Sequence, residues 1–342
     1  MDERALKRQY NEQPVLLPNG KIGIVTRPIG GGQRDGTAVL ILNTGIVHRV
    51  GHNRMYVTFA RQLAEDGLTV LRFDLSGIGD SERRPDELSQ LDAALADVRD
   101  TVDWLEKNSR IRRVVLVGIC SGANLALVYG GRDERVIGVT IIDPAIPPTM
   151  KYYFREFRRY GRRRAYWGVV RRRCMLVAAA LRERVTGARS GEVVHTRLGD
   201  KKTRRFIEDA YQDAVRRGLK LLMILTDGQP RQHNYSEQIF DALPRVKFGD
   251  LLTLEYFSKV DHLFTDAKHR ERLFCRIDDW LNDCGFGGAA EQRSFLATGM
   301  ASAGPERDTA DGATRPLQIP LSPTVANSPS FISQIDRPAG LI

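Results

Sequence analysis

Cysteine and long apolar runs are both scarce in this chain. There are four cysteines in 342 residues, and none forms a C-x-x-C pair. A disulfide framework or a structural zinc site would need more closely grouped thiols. No apolar run approaches the ~18 residues of a membrane span, and the first ten residues, MDERALKRQY, lack the apolar core of a signal peptide. We therefore expect a cytoplasmic protein with reduced thiols, and predict no metal site and no cofactor.

Positive charge is concentrated in one segment. Residues 151–173 hold ten Lys or Arg and one acid, so they carry +9 of the chain's net +10. The remainder is close to neutral, and nucleic acid is not an expected partner. Helical spacing places Tyr153, Phe157 and Trp167 on one face. We expect them to face the body as a lid, with arginines around them that could contact an anionic substrate or membrane; a solvated charged face is the alternative.

Apolar runs alternate with helical patterns along most of the chain. The runs typical of buried strands are residues 38–42, 68–73, 114–117, 136–142, 220–225 and 251–257. A hairpin is predicted at Pro18-Asn19-Gly20. Such alternation predicts a parallel sheet wound with helices. We assign the core to residues 1–146 and 218–284, a helical Arg-rich lid insertion to 147–217, and a disordered tail to 285–342, where Pro, Gly, Ala, Ser and Thr dominate.

The pentapeptide GICSG, residues 118–122, lies between an apolar run and a helical pattern. In that context, glycines on both sides permit a strained turn that exposes the central side chain. The pattern predicts Cys120 as a nucleophile and the backbone N–H of Ser121 as an oxyanion donor. The helix N-terminus would stabilise a thiolate. Ser121 as the nucleophile and a buried structural Cys120 are the alternatives.

At these residues the chain resembles the α/β-hydrolase superfamily, in particular bacterial hydrolases related to the serine aminopeptidase group, described as S33-like. The resemblance runs from about residue 15 to 281. It rests on the elbow, Asn43-Thr44-Gly45, the FDLSGIGDS run at 73–81 and Asp261-His262. It implies an α/β-hydrolase fold with a mostly parallel sheet flanked by helices and a helical lid. Most members have serine where this chain has Cys120, although dienelactone hydrolases and polyhydroxyalkanoate synthases use cysteine.

In this fold the catalytic residues follow the order nucleophile, acid, base along the chain. His262 comes shortly after the last predicted strand and is the expected base. His269 lies in a charged helix start, where a solvated side chain is expected. Asp227 follows the preceding strand and is the expected acid, with Glu237 as the second candidate. Its role would be to orient the imidazole and stabilise the imidazolium.

The loop after the third predicted strand would supply the second oxyanion donor, and the backbone N–H of Ile46 is the best placed. Just beyond it, polar side chains form a cluster that would bind substrate at the pocket mouth or serve only as a polar loop: His48, Arg49, His52 and Arg54. The leading hypothesis is hydrolysis of a small ester or thioester through a covalent acyl-enzyme. The substrate would be anionic or carrier-linked. An acyltransferase on the same triad and a non-catalytic binding module are the alternatives.

Overall fold

The computed structural model describes residues 9–29, 36–109, 111–161, 167, 200–229 and 232–286. Within them, eight strands form one sheet in the order β1-β2-β4-β3-β5-β6-β7-β8. The strands are β1 Tyr10–Leu17, β2 Lys21–Pro28, β3 Thr37–Ile41, β4 Thr69–Phe73, β5 Arg113–Ile119, β6 Val136–Ile142, β7 Lys220–Thr226 and β8 Leu252–Phe257. Pairing is antiparallel from β1 to β2 and from β2 to β4, and parallel throughout the rest.

Helices connect the parallel strands. They are α1 Met55–Glu65, α2 Gln90–Ser109, α3 Ser121–Gly130, α4 Met150–Tyr160, α5 Lys201–Arg216, α6 Gln238–Ala242 and α7 Ala267–Asp283. The predicted α/β-hydrolase fold, a mostly parallel sheet with flanking helices, is confirmed.

Each face of the sheet carries its own apolar core. Side chains alternate between the faces of a strand, so Leu40 belongs to one core and Val39 to the other. The first core packs under α2, α3 and α5. The second packs under α1 and α7, where the rings of Phe59 and Phe274 stack with centroids 4.8 Å apart. Because both faces are covered, the central strands contain mostly apolar residues, and this is why they could be located in the sequence.

The segment assigned to a lid contains two described helices with different surroundings. Tyr211 of α5 is fully buried in the first core, so this part of the predicted insertion packs with the α/β body. The face predicted for α4 is wrong: Tyr152 is 5% exposed, whereas Tyr153 is 41% and Phe157 is 48% exposed. Thr149 caps the helix, accepting a hydrogen bond from the Tyr152 backbone, and this start turns Tyr152 inward.

Other sequence predictions fall outside the described residues. These are the segment with Arg162, Arg163 and Arg164, and the tail beyond residue 286. Trp167 is described and is 53% exposed, not turned to the body as predicted. Among the described helices, none is long and apolar enough to span a membrane.

Candidate active site

Cys120 occupies a strained turn between β5 and α3. Its φ of 55° and ψ of −114° are unusual for a residue with a side chain. The close packing around it explains the flanking glycines. A Cβ on Gly122 would lie 2.5 Å from the backbone oxygen of Asn43, and one on Gly118 would lie 2.2 Å from Gly122. The Cys120 backbone N–H donates to Ile142 at 2.8 Å, so the elbow is fastened to the adjacent strand β6.

His262 lies in the loop between β8 and α7. This loop is packed tightly on the end of β7, because a Cβ on Gly228 would lie 2.1 Å from the His262 backbone nitrogen. Its neighbour Asp261 accepts hydrogen bonds from the backbone of Leu263 and Thr265 and so fixes the loop. The Cys120 side chain is one of the causes that raise the pKa of His262, so the two side chains lie close together. The structure therefore brings together the predicted nucleophile and the predicted base.

The acid partner of His262 is Asp143, not the predicted Asp227. Asp143 Oδ2 lies 2.7 Å from His262 Nδ1, and the Asp143 side chain is fully buried. It follows β6 directly, with a φ of 46° that turns the carboxylate toward the His262 loop. Ala145 beyond it donates its backbone N–H to Asn124 Oδ1 at 3.0 Å, so α3 holds this turn as well.

Asp227 has other partners. Its Oδ1 accepts from the Tyr256 hydroxyl and its Oδ2 from the Lys259 backbone N–H, both at 2.6 Å. It joins the ends of β7 and β8 and does not bind an imidazole among the described residues. Glu237, the second candidate, is exposed just before α6. A sequence signal for Asp143 existed: it is an acid directly after an apolar run, in the same chain order nucleophile, acid, base.

The site's electrostatics follow from these contacts. Burial alone would raise the pKa of Asp143, but the hydrogen bonds from His233 and His262 hold it well below its usual range. Burial alone would lower the pKa of His262. Its hydrogen bonds to Asp143 and Cys120 outweigh that effect and raise the pKa to about 9. The imidazolium form of His262 is therefore favoured at neutral pH.

The loop between β3 and α1 lies beside the elbow. The Ser121 hydroxyl accepts the Gly45 backbone N–H at 2.6 Å, so this side chain is used to position the loop. Thr44 Oγ1 lies 2.5 Å from the buried Tyr56 hydroxyl. Burial raises the pKa of Tyr56, its hydrogen bond with Thr44 opposes this, and the charge of Cys120 adds to the increase. Ile46, predicted as a donor through its backbone, has a side chain that is 64% exposed.

The residues predicted to bind substrate separate into two groups. Arg49 is already paired: its guanidinium contacts Asp74, which is fully buried, and lies 2.7 Å from Asp80. It holds the loop, and its predicted role in substrate binding stays a prediction. His48 and Arg54 are exposed and stay candidates. His52 lies close enough to His262 that, in addition to burial, the charge of His262 lowers the pKa of His52.

The contact between Ser121 and Gly45 yields a prediction. Replacing Ser121 with alanine leaves the Gly45 N–H without this acceptor and loosens the loop beside the elbow. We expect kcat to fall by about tenfold, as the loss of one hydrogen bond of ~1.4 kcal/mol would give. Steady-state kinetics and thermal melting of the S121A variant check this. Complete loss of activity would instead support Ser121 as the nucleophile.

The site places an elbow cysteine beside a histidine that is hydrogen-bonded to a buried aspartate, at the carboxyl ends of parallel strands. This arrangement is typical of an enzyme of the hydrolase fold. The sequence matches the α/β hydrolase fold family over residues 38–223, more than half of the chain. The protein belongs to that family.

Individual relatives are more distant. Polyketide transferase grgF from Penicillium sp. is 29% identical over 92 residues, a match that covers 26% of this chain and 31% of that protein. An esterase from Pyrococcus furiosus has a TM-score of 0.51 at 16% identity, covering 84% of this chain and 95% of the esterase. An α/β serine hydrolase homologue from Coxiella burnetii has a TM-score of 0.48 at 15% identity, covering 78% and 94%. At 16% identity, the likeness to the esterase shows the fold alone.

Proposed function

We propose that this enzyme hydrolyses an ester or thioester through Cys120, His262 and Asp143, with a covalent acyl-enzyme. The observation that carries the proposal is the contact at 2.7 Å between His262 and the buried Asp143, beside the strained elbow that presents Cys120. The elbow and the FDLSGIGDS run support placing the enzyme with the S33-like hydrolases, as a member with cysteine in place of serine.

In the first half-reaction, the sulfur of Cys120 attacks the acyl carbon while its proton resides on His262. The carbonyl π electrons move to oxygen, and the backbone N–H of Ser121 at the start of α3 is the first donor for that oxyanion. When the tetrahedral intermediate collapses, the bond from carbon to the leaving group breaks. His262 gives its proton to the departing alkoxide or thiolate, leaving an acyl thioester on Cys120 and a neutral imidazole.

In the second half-reaction, neutral His262 accepts a proton from a water molecule that attacks the thioester carbon. The bond between carbon and the sulfur of Cys120 then breaks, the acid product leaves, and the thiolate with its imidazolium partner is restored. Asp143 stays ionised throughout and holds the ring in the tautomer that presents Nε2 to the sulfur.

The substrate class we propose is an acyl group on an anionic or carrier-linked leaving group. The support is the charge of α4, on which Lys151, Arg155 and Arg159 are exposed. The alternative is that the same basic segment contacts an anionic membrane surface. A cytoplasmic location suits the proposed chemistry, since a nucleophilic thiol must stay reduced, and Cys120, Cys275 and Cys284 are free.

Acyl transfer to an acceptor other than water is the second candidate function. It is favoured by the partial similarity to a polyketide transferase. The first half-reaction would be the same, and an alcohol or amine would replace water in the second. The two functions differ in the molecule that accepts the acyl group from Cys120, and therefore in the product.

A panel of p-nitrophenyl esters and acyl-CoA thioesters of increasing chain length tests the proposal, with the Cys120→Ala variant as the control. We expect hydrolysis by the wild type and a mass increase equal to one acyl group on Cys120 under rapid quench. The C120A variant should show neither. Added alcohols and amines measure how the acyl-enzyme divides between water and other acceptors.

Equal turnover by the wild type and the C120A variant would exclude Cys120 as the nucleophile. If neither turnover nor an acylated Cys120 is found with any substrate, the non-catalytic binding module becomes the better description.

A further inference from the structure

The carboxylate of Asp143 accepts more hydrogen bonds than a triad requires. Thr226 donates its backbone N–H and its hydroxyl, each at 2.7 Å. His262 Nδ1 contacts Oδ2 at 2.7 Å, and His233 Nε2 contacts Oδ1 at 3.0 Å. Two histidines thus share one buried carboxylate, and of the two it is His262 that interacts with Cys120.

The surroundings of the two ring nitrogens of His233 indicate which of them carries the hydrogen. Its side chain is fully buried, and its Nδ1 has no hydrogen-bond partner among the described residues. A bare Nδ1 can keep its lone pair at modest cost, whereas a protonated Nδ1 would be a buried donor without an acceptor. The neutral tautomer with hydrogen on Nε2 satisfies both ends, since Nε2–H donates to Asp143.

Rigid contacts hold His233 in this position. The fully buried Gln238 donates to the backbone oxygen of Gln232 at 2.9 Å and accepts the Asn234 backbone N–H at 3.1 Å. These two residues flank His233. Asn234 in turn donates to the backbone oxygen of Tyr152 in α4 at 3.0 Å. Such clamping on both sides is what a side chain with a positioning role needs.

We propose that His233 is a positioning residue that holds Asp143 through a neutral N–H donor. This hydrogen bond takes up part of the negative charge of the Asp143 carboxylate and so limits the basicity of His262. Without this donor, the negative charge of the Asp143 carboxylate would attract a protonated His262 more strongly, and the imidazolium form would be favoured further. His233 would therefore keep the neutral imidazole accessible for the water-activating step. The kinetic part of this inference rests on the proposed function, whereas the charge states do not.

Other titratable groups act on the same centre. Cys120 on the elbow and His52 before α1 interact with His262, and Tyr256 at the end of β8 interacts with Asp143. Because none of them contacts His233 in the described structure, a His233 substitution changes one donor to Asp143 and leaves these groups in place.

The test compares His233→Leu, which removes the donor, with His233→Gln, whose amide can donate from a similar position. Nitrogen-resolved NMR of the histidine rings follows each side chain with pH and needs no substrate. We expect the H233L variant to raise the midpoint of His262 by about one pH unit, the equivalent of one lost hydrogen bond. The H233Q variant should stay close to wild type.

Kinetics with p-nitrophenyl acetate supply the second arm. In the H233L variant, kcat near neutral pH should fall by about tenfold with kcat/KM nearly unchanged, because the slowed step is deacylation, and the difference should close as the pH rises. A purely structural role would lower the melting temperature but leave the His262 midpoint and the pH profile where they are, and that result would overturn the proposal.

If the H233L variant fails to fold, NMR of the histidine rings in the wild type still tests the proposal. His233 should carry its hydrogen on Nε2, where it faces Asp143, and leave Nδ1 bare, whereas His262 should titrate near 9. Hydrogen on His233 Nδ1 would refute the inference. Absence of esterase activity with these charge states intact would count against the proposed function alone.

Discussion

Replacing Asp143 with asparagine is expected to lower kcat by a thousandfold or more, on the order of the loss when a triad aspartate is neutralised. The amide keeps the size of the side chain. However, it removes the charge that stabilises the His262 imidazolium and presents an N–H where a hydrogen-bond acceptor is needed. The ring would be forced into the wrong tautomer for proton transfer with Cys120. Single-turnover and steady-state measurements on an activated ester give the size of the loss.

Asp227→Asn is the matched control, since the same chemical change is made one strand away. Asp227 binds the Tyr256 hydroxyl and the Lys259 backbone, and an asparagine oxygen can keep one of these contacts. We expect kcat to stay within a few-fold of wild type, with a modest loss of stability. The reverse pattern, a severe loss in D227N and a mild one in D143N, would restore Asp227 as the acid.

Replacing His262 with glutamine is expected to reduce the acylation rate of Cys120 by a hundredfold or more, the usual scale of a lost proton-transfer group. Glutamine occupies similar space but can neither hold nor return the proton. Alkylation of Cys120 by iodoacetamide near pH 6 should slow as well, because the imidazolium that stabilises the thiolate is gone. Peptide mass spectrometry can compare this rate with those of Cys275 and Cys284 in the same molecule.

The raised pKa of His262 also fixes a pH dependence. With a midpoint at about 9 in the free enzyme, the imidazolium that protonates the leaving group is lost as the pH rises through 9. Acylation of Cys120 by an ester with a poor leaving group should therefore fall by about tenfold per pH unit above 9. An acylation rate that keeps rising above pH 9 would contradict the assigned charge state.

The sequence allowed most of the sheet to be predicted, because the central strands are buried on both faces and contain almost only apolar residues. Strand β1 spans Tyr10–Leu17, so it begins five residues before its predicted start at residue 15. This first part was missed because it lies at the sheet edge, is largely exposed and carries polar side chains. On α4, aromatic residues occur on several faces, so the sequence could not show that Tyr152, and not Tyr153, faces inward.

Cys120 and His262 could be predicted because each lies where a local pattern and the chain order agree. The acid could not, because two aspartates, Asp143 and Asp227, follow successive buried strands in equivalent local sequence. Only the path of the His262 loop decides between them. That path is set by long-range packing on Gly228, which no local pattern records. The role of His233 depends on the same tertiary arrangement.

The proposed nucleophile and acid are anchored to adjacent strands, and the proposed base is not. The Cys120 backbone donates to Ile142, the residue directly before Asp143, whereas His262 belongs to a separate surface loop. Local opening of that loop would cost far less free energy than separating β5 from β6. Partial unfolding would therefore move His262 away first and leave Cys120 on an intact elbow without its base. Activity should then be lost on heating or in mild denaturant before the sheet begins to melt.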